Sequence, residues 1–286
     1  MLHRVYPFEP NKLAPNENMK ISPDFLEKFI LKFKSIGHEF ISLDKLHEIL
    51  INGESVKNKI ILTLDDGYLD NYTHAYPIFK KHNVPFTIYV TTSFPEKKAI
   101  LWWYVLEDLI VANDEITLSN QRRYICATIE QKIEVFMQIR EIIISFERDD
   151  FLVNLNKLFE NYIIDWHVKC DELAMSWSQI VELAKDNLCT IAGHTKNHFA
   201  MTKLSLDEII DEVMDANELI RLEIGKNIEH FAYPFGGVNE VGQREFDIIR
   251  TMKFKTVTTT RHGAINFKHK NFLERLPRIM LVENSI

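Results

Sequence analysis

The sequence predicts an α/β fold in which short buried strands alternate with amphipathic helices. The stretch 59–64 is an aliphatic run with polar flanks, which is typical of an interior strand. Apolar residues keep helical spacing over 25–36, directly after a Ser-Pro pair that favours a helix start. The same alternation returns from about residue 176 onward, so we expect strands and helices to share one layered core.

Local signals place the individual elements. Ser22, Ser42, Ser176 and Ser205 each precede a helical pattern as N-cap residues, and the helix after Ser205 is expected to end near Gly225. The other predicted elements are helices at 71–82 and 245–252 and strands at 2–5, 85–90, up to 191, 228–233, 256–260 and near 276.

Regular alternation stops between about 101 and 173. This stretch contains neither Gly nor Pro and keeps helical spacing, which predicts a helical insertion within a single domain spanning 1–286. Trp102, Trp103 and Tyr104 stand at its start, where they suit either core packing or stacking on a sugar.

Composition excludes several classes of protein. The formal net charge of −7 and the absence of clustered Lys and Arg argue against a nucleic-acid partner. Cys126, Cys170 and Cys189 are an odd, widely spaced set, which indicates no disulfide framework. No apolar stretch has the length of a signal peptide or a membrane span, so the sequence predicts no integral membrane segment and a cytoplasmic location. It does not specify the oligomeric state.

Two acids end the first buried strand, in Asp65-Asp66-Gly67. These residue types also favour a surface turn. At the carboxyl end of a parallel strand, however, adjacent carboxylates need a cation or a strong donor to offset their repulsion. A divalent metal would bind one acid and leave the other as a base near the metal.

A second polar cluster follows a short apolar run at 190–193. His194 and His198 are four residues apart, which lets two imidazoles converge on one ion. With Asp66 they make three protein ligands and leave a position open, as in catalytic zinc sites. Zinc is the first choice for this set, with cobalt or iron as alternatives.

Three segments, in this order, resemble the motifs of the polysaccharide deacetylases, carbohydrate esterase family 4. They are Thr-Leu-Asp-Asp-Gly at 63–67, His-Thr-Lys-Asn-His at 194–198 and Phe-Ala-Tyr-Pro-Phe-Gly-Gly at 231–237. The resemblance implies a distorted (β/α)7-type barrel. It also implies a metal-dependent hydrolase that removes the N-acetyl group from an amino sugar of a polysaccharide or glycan precursor.

The resemblance assigns a role to each matched residue. Asp65 is the general base, and the backbone N–H of Phe235 helps to form an oxyanion hole. The remaining assignments are the metal ligands Asp66, His194 and His198 and the substrate-binding residues Tyr233, Pro234 and Arg278.

The sequence departs from the family pattern at two points. Ala232 stands where many members have an Arg that orients the base, and no histidine follows Pro277, where a Leu-x-His motif normally supplies the general acid. Arg278 lies in a Leu-Pro-Arg sequence that resembles the closing strand of deacetylases associated with surface-polysaccharide synthesis, and it is a candidate to orient Asp65. His262 or a water on the metal is the candidate proton donor, and His3 either lines the site or is structural.

Two other functions remain compatible with these motifs. One is an O-acetyl esterase, or another amidase, on the same fold. The other is a carbohydrate-binding protein in which loss of the usual acid has weakened catalysis.

Overall fold

The computed structural model describes residues 1–283 and divides into two compact units. The first combines residues 1–7, 20–97 and the chain from 173 onward, and the second combines 8–19 and 98–172. The single domain expected over 1–286, whose last three residues lie outside the described part, stays a prediction.

A parallel sheet is the centre of the first unit. In the described part of the chain it has six strands in the order β12-β11-β10-β9-β6-β5, and they curl into a half-barrel. These strands are β5 (Leu62–Asp66), β6 (Phe86–Val90), β9 (Cys189–Gly193), β10 (His230–Ala232), β11 (Thr256–His262) and β12 (Leu276–Arg278). Two shorter parallel pairs accompany it: β1 (Arg4–Val5) with β2 (Lys20–Ile21), and β3 (Glu39–Phe40) with β4 (Lys59–Ile60).

The first two residues connect the edges of this sheet. Leu2 donates its N–H to Thr63 of β5 at 2.8 Å and accepts from the Asp65 N–H at 3.0 Å. Met1 accepts from the Leu281 N–H at 3.0 Å, just beyond β12. Pairing both edges in this way satisfies backbone groups that an open sheet would expose.

Helices cover the outside of the sheet, and the predicted caps are confirmed. Ser22 and Ser42 accept backbone hydrogen bonds at the starts of their helices, Ser176 and Ser205 form capping boxes, and Gly225 ends its helix with φ +70°. The helices of this unit are α2 (Pro23–Ser35), α3 (Leu43–Asn52), α4 (Tyr76–Lys81), α9 (Trp177–Lys185), α10 (Leu206–Ile224) and α11 (Gln243–Thr251).

The helix expected over 71–82 has a different start. Its first turn, Asn71–Ala75, is π-helical, and α-helical geometry begins at Tyr76. Pro77 has no N–H to donate to the carbonyl four residues earlier, so a wider turn removes no bond that the chain would otherwise make.

The second unit contains the insertion and has its own core. Its helices are α1 (Ala14–Glu17), α5 (Trp102–Val111), α6 (Ile129–Ile144), α7 (Phe151–Leu158) and α8 (Val168–Leu173). An antiparallel hairpin of β7 (Glu115–Thr117) and β8 (Arg123–Ile125), which the helical spacing did not predict, joins them. Trp102 and Tyr104 are buried, and Trp103 packs against the core, which favours core packing for this cluster. Within residues 1–283, no helix combines the length and apolar character that crossing a bilayer requires.

Candidate active site

The carboxyl ends of neighbouring strands bring the predicted motifs together. Asp66, the last residue of β5, is aligned with Val90 of β6, and Val90 is aligned with Gly193 of β9. Gly193 in turn is aligned with Phe231 of β10. The residues that follow β9 and β10 therefore emerge at the edge of the sheet where Asp66 lies, as parallel strands require.

Three side chains converge at this edge. The Nε2 atoms of His194 and His198 lie 3.3 Å and 3.2 Å from Oδ1 of Asp66. The three ligand atoms lie within 4.8 Å of one another, and the arrangement is buried except for partial exposure of His198. This set of one carboxylate and two imidazoles is the one that the sequence predicted to meet.

Hydrogen bonding shows which ring nitrogen of His194 faces the site. Its Nδ1 lies 2.7 Å from the carbonyl oxygen of Ala232. Because a carbonyl only accepts, Nδ1 donates its proton to Ala232, and Nε2 is the ring nitrogen that faces Asp66. Oδ1 of Asp66 is buried and has no hydrogen-bond partner among the described residues. One carboxylate oxygen and two imidazole nitrogens that face one another in a buried place fit a cation, and a backbone carbonyl behind a ligand histidine is usual in metal sites.

Electrostatics keep Asp66 ionised. Burial alone would raise the pKa of its carboxyl, but the neighbouring His198 and His194 hold the pKa well below its ordinary value. An ionised carboxylate is the form that binds a metal.

Backbone strain is concentrated at the same place. Asp66, Thr195, His198 and Phe235 all have positive φ, at 78°, 65°, 60° and 57°. This conformation costs free energy in residues other than glycine, and such residues cluster where function requires a particular backbone direction. Here the strain directs two of the three ligand side chains.

Asp65 faces Arg278. The guanidinium donates from both terminal nitrogens to the two carboxylate oxygens, at 2.6 Å and 2.7 Å, and both residues are buried. It also donates to the Thr259 carbonyl at 2.8 Å and to the Thr63 hydroxyl at 3.2 Å. Burial would raise the pKa of Asp65, but the positive charge of Arg278, and after it the neighbouring His194, lower the pKa below its ordinary value. Asp65 is thus held as an oriented anion.

The pair of Asp65 and Arg278 bears on the absence of an Arg at position 232. Arg278 comes from β12, far along the chain, and contacts both oxygens of Asp65, as expected of an orienting residue. The side chain was also predicted to bind substrate, but its donors are committed to Asp65, Thr63 and Thr259. Its geometry supports orientation of the base.

Phe235, the predicted oxyanion-hole residue, lies beside His198. Its ring lies 4.7 Å from the ring of His198 and is 42% exposed. The next residue, Gly236, has φ +61°, and a Cβ there would lie 2.7 Å from the backbone nitrogen of Thr260. Thr260 also donates from its hydroxyl to the Phe235 carbonyl at 2.5 Å. The Phe235 N–H donates to no group within residues 1–283, so it is available to a ligand.

The other two residues of the third motif lie beneath the site. Tyr233 is fully buried, and its hydroxyl donates to the Glu274 carbonyl at 2.9 Å. Pro234 is also buried. Tyr233 is therefore a core residue in this structure, and its geometry gives no support to the predicted contact with substrate.

His3 is the residue that sequence reasoning undervalued. It interacts electrostatically with Asp66, Asp65, Arg278 and His194, which places it beside the candidate site. Its Nδ1 is buried without a hydrogen-bond partner among the described residues. Burial lowers the pKa of the imidazole, against the two carboxylates. The sequence placed His3 in the short strand expected over 2–5, and in the structure the backbone of the preceding Leu2 hydrogen-bonds to Thr63 and Asp65.

His262, the proton donor suggested by the sequence, is exposed at the end of β11.

Comparison with known proteins is consistent with this geometry. A family model described as polysaccharide deacetylase matches residues 52–139 and 150–247, which is more than half of the chain. The matched ranges include both aspartates, both histidines and Phe235, and they end before Arg278. A sequence search of curated proteins found no match.

Solved structures with the same fold include the following three, two of which are named as deacetylases. The Streptococcus pyogenes deacetylase PplD in complex with acetate has a TM-score of 0.66 and 20% identity, covering 99% of this chain and 91% of that one. IcaB from Ammonifex degensii has a TM-score of 0.62 and 17% identity, covering 99% and 90%. A de-N-acetylase from Aggregatibacter actinomycetemcomitans has a TM-score of 0.60 and 16% identity, covering 100% and 94%.

At these identities the structural likeness concerns the fold, and it confirms the predicted barrel type. The match to the family model is the independent finding, because it covers most of the first unit and also part of the second. The chain belongs to the polysaccharide deacetylase family.

Proposed function

We propose that this protein is a metal-dependent hydrolase that removes the N-acetyl group from an amino sugar of a polysaccharide or glycan precursor. The proposal rests on one observation: the side chains of Asp66, His194 and His198 converge in a largely buried cluster next to the oriented carboxylate of Asp65. Clusters of this composition with an open position are typical of catalytic zinc sites.

Asp66, His194 and His198 would hold the ion, and zinc is the first choice, with cobalt or iron as alternatives. Such an ion supplies Lewis-acid activation of water near neutral pH. The protein's own contribution is to keep Asp66 ionised and both imidazoles directed at one point.

Asp65 accepts the proton of the attacking water. Arg278 keeps its carboxylate ionised and fixes both oxygens, so the base is present and oriented before substrate arrives. The Phe235 N–H donates to the oxyanion that develops on the acetyl carbonyl. Because the Phe235 backbone is held at φ 57°, this N–H keeps one direction and does not need to reorganise during the reaction.

Protonation of the leaving amine is assigned to His3. The family's usual acid has no counterpart after Pro277, and His262 is exposed. His3 is half-buried beside both carboxylates of the site; burial lowers the pKa of its imidazole, and the two carboxylates oppose this effect. The closing Leu-Pro-Arg sequence at 276–278 favours a surface-polysaccharide precursor as the substrate class.

The proposal is tested by acetate release. The zinc-loaded protein should release acetate from N-acetylglucosamine oligomers, and Asp65→Asn should lower kcat by about 10²–10⁴-fold, the usual contribution of a general base. Asp247→Asn, an exposed change of the same kind on α11, should leave kcat unchanged. Turnover of O-acetylated sugars alone would favour the esterase, and zinc binding without any acetate release would favour the carbohydrate-binding protein.

A further inference from the structure

The loop between the two metal-ligand histidines depends on a residue from another element. Lys196 and Asn197 both donate their backbone N–H groups to Oε2 of Glu212, at 3.1 Å and 2.8 Å. The side-chain amide of Asn197 donates to Oε1 of the same carboxylate at 2.6 Å. Glu212 lies on α10, is 2% exposed, and so receives three donors from two successive residues of the loop.

These bonds act where the backbone is strained. Thr195 and His198, the residues on either side of the clamped pair, have φ of 65° and 60°. The hydroxyl of Thr195 accepts from the His198 N–H at 3.1 Å. A backbone in this conformation persists only when surrounding bonds over-determine it.

Other contacts fix the remaining groups of the loop from the opposite side. The Thr92 and Ser93 N–H groups donate to the carbonyls of Thr195 and Lys196, at 3.3 Å and 2.9 Å. The loop therefore sits between the end of β6, which holds its carbonyls, and α10, which holds its N–H groups through Glu212. The direction of His198 follows from both.

We propose that Glu212 is a positioning residue for the metal site, and that the reach of its carboxylate to Lys196 and Asn197 sets the affinity for the ion. The inference rests on the proposed metal-dependent function. Glu212 touches neither the ion nor the substrate, and it acts through the backbone that carries His198. Loss of a residue that orients a metal ligand typically weakens metal binding by about 10–100-fold.

Two conservative variants of Glu212 separate the reach of its side chain from its negative charge. Glu212→Asp keeps the negative charge but withdraws the oxygens by roughly one carbon–carbon bond, about 1.5 Å, which takes them beyond hydrogen-bond distance of the loop. Glu212→Gln loses the charge but keeps an oxygen at full reach for the two N–H groups, and the Asn197 amide can rotate to accept from the new amide.

Zinc affinity is measured by competition with a chromophoric chelator, and the cobalt-loaded protein adds a visible absorption spectrum that reports ligand geometry. Glu212→Asp should raise the zinc Kd by about 10–100-fold and change the cobalt spectrum. Glu212→Gln should stay within about threefold of wild type, because its oxygen still accepts from the loop. Glu218→Asp, an exposed change on the same helix, should have no measurable effect.

The outcomes distinguish the two proposals. Wild-type affinity in Glu212→Asp, or weaker binding in Glu212→Gln than in Glu212→Asp, would overturn the positioning role and leave the metal site standing. Absence of zinc binding by the wild-type chain would overturn the proposed function and the inference with it.

Discussion

Replacing Arg278 by Lys separates the geometry of the buried pair from its charge. Arg278 makes four hydrogen bonds, two of them to the carboxylate of Asp65 and one each to Thr63 and Thr259. A lysine ammonium is a compact charge that cannot reproduce this fork. We therefore expect Asp65 to remain ionised in Arg278→Lys but to lose its fixed orientation.

The magnitude follows from the bonds that are lost. Hydrogen bonds to charged groups contribute about 1.5–3 kcal/mol each, and Lys would keep one of the two to Asp65 and forgo one or both of the others. A loss of about 3 kcal/mol expressed in the transition state is about 100-fold in kcat. Since Arg278 is 7% exposed and contacts no metal ligand, KM and the zinc Kd should change by less than about threefold.

The assay is steady-state acetate release at saturating zinc. Arg221→Lys is the matched control, because Arg221 forms the same two-bond fork with Glu218, at 2.7 Å and 2.6 Å, on an exposed helix surface. Such a pair contributes little, so kcat should not change. Wild-type kcat in Arg278→Lys, or an effect confined to KM, would refute the orienting role.

The remaining predictions concern the ion, the proton donor and pH. Chelation should abolish acetate release and zinc should restore it, whereas His198→Ala should not recover at the zinc concentration that saturates wild type; full recovery would argue against His198 as a ligand. His3→Gln should lower kcat by about 100-fold without changing the zinc Kd, and His262→Gln should change neither; the opposite pattern would transfer the role to His262. Because Arg278 holds the pKa of Asp65 below its ordinary value of 3.8, the pair stabilises the fold above that pH and loses this effect as the pH falls further. The difference in free energy of unfolding between wild type and Asp65→Asn should therefore be constant from about pH 7 to 5 and shrink below about pH 4, which urea titrations would show. A difference that stays constant to lower pH would contradict the ion pair.

Local rules were sufficient for much of the fold. The serine caps and the glycine after α10 act within one helical turn, and each was found where its pattern placed it. The single strand expected over 59–64 is two strands in the structure: β4 pairs with β3, and β5 belongs to the main sheet and ends in the acidic pair. The hairpin β7–β8 was missed because its turn uses Gln121 with φ +62° where Gly would have marked it.

The convergence of Asp66, His194 and His198 was predictable because an acidic pair at a strand end and two histidines four residues apart together form a recognisable pattern. The residues that support this cluster were not predictable from the sequence. Glu212 is an ordinary helix residue in the sequence, and only packing of α10 against the histidine loop gives it three donors. Arg278 meets Asp65 across more than two hundred residues of chain, and His3 lies beside the site because the backbone of Leu2, the residue before it, hydrogen-bonds to β5. Such contacts depend on topology, which local periodicity does not encode.

Anomalous diffraction at the zinc edge, from crystals grown with zinc, examines the central claim directly. The account predicts one strong peak at about 2.0–2.2 Å from a carboxylate oxygen of Asp66 and from Nε2 of both His194 and His198. A peak bound elsewhere on the chain, or a zinc-saturated crystal without density between these three side chains, would contradict it.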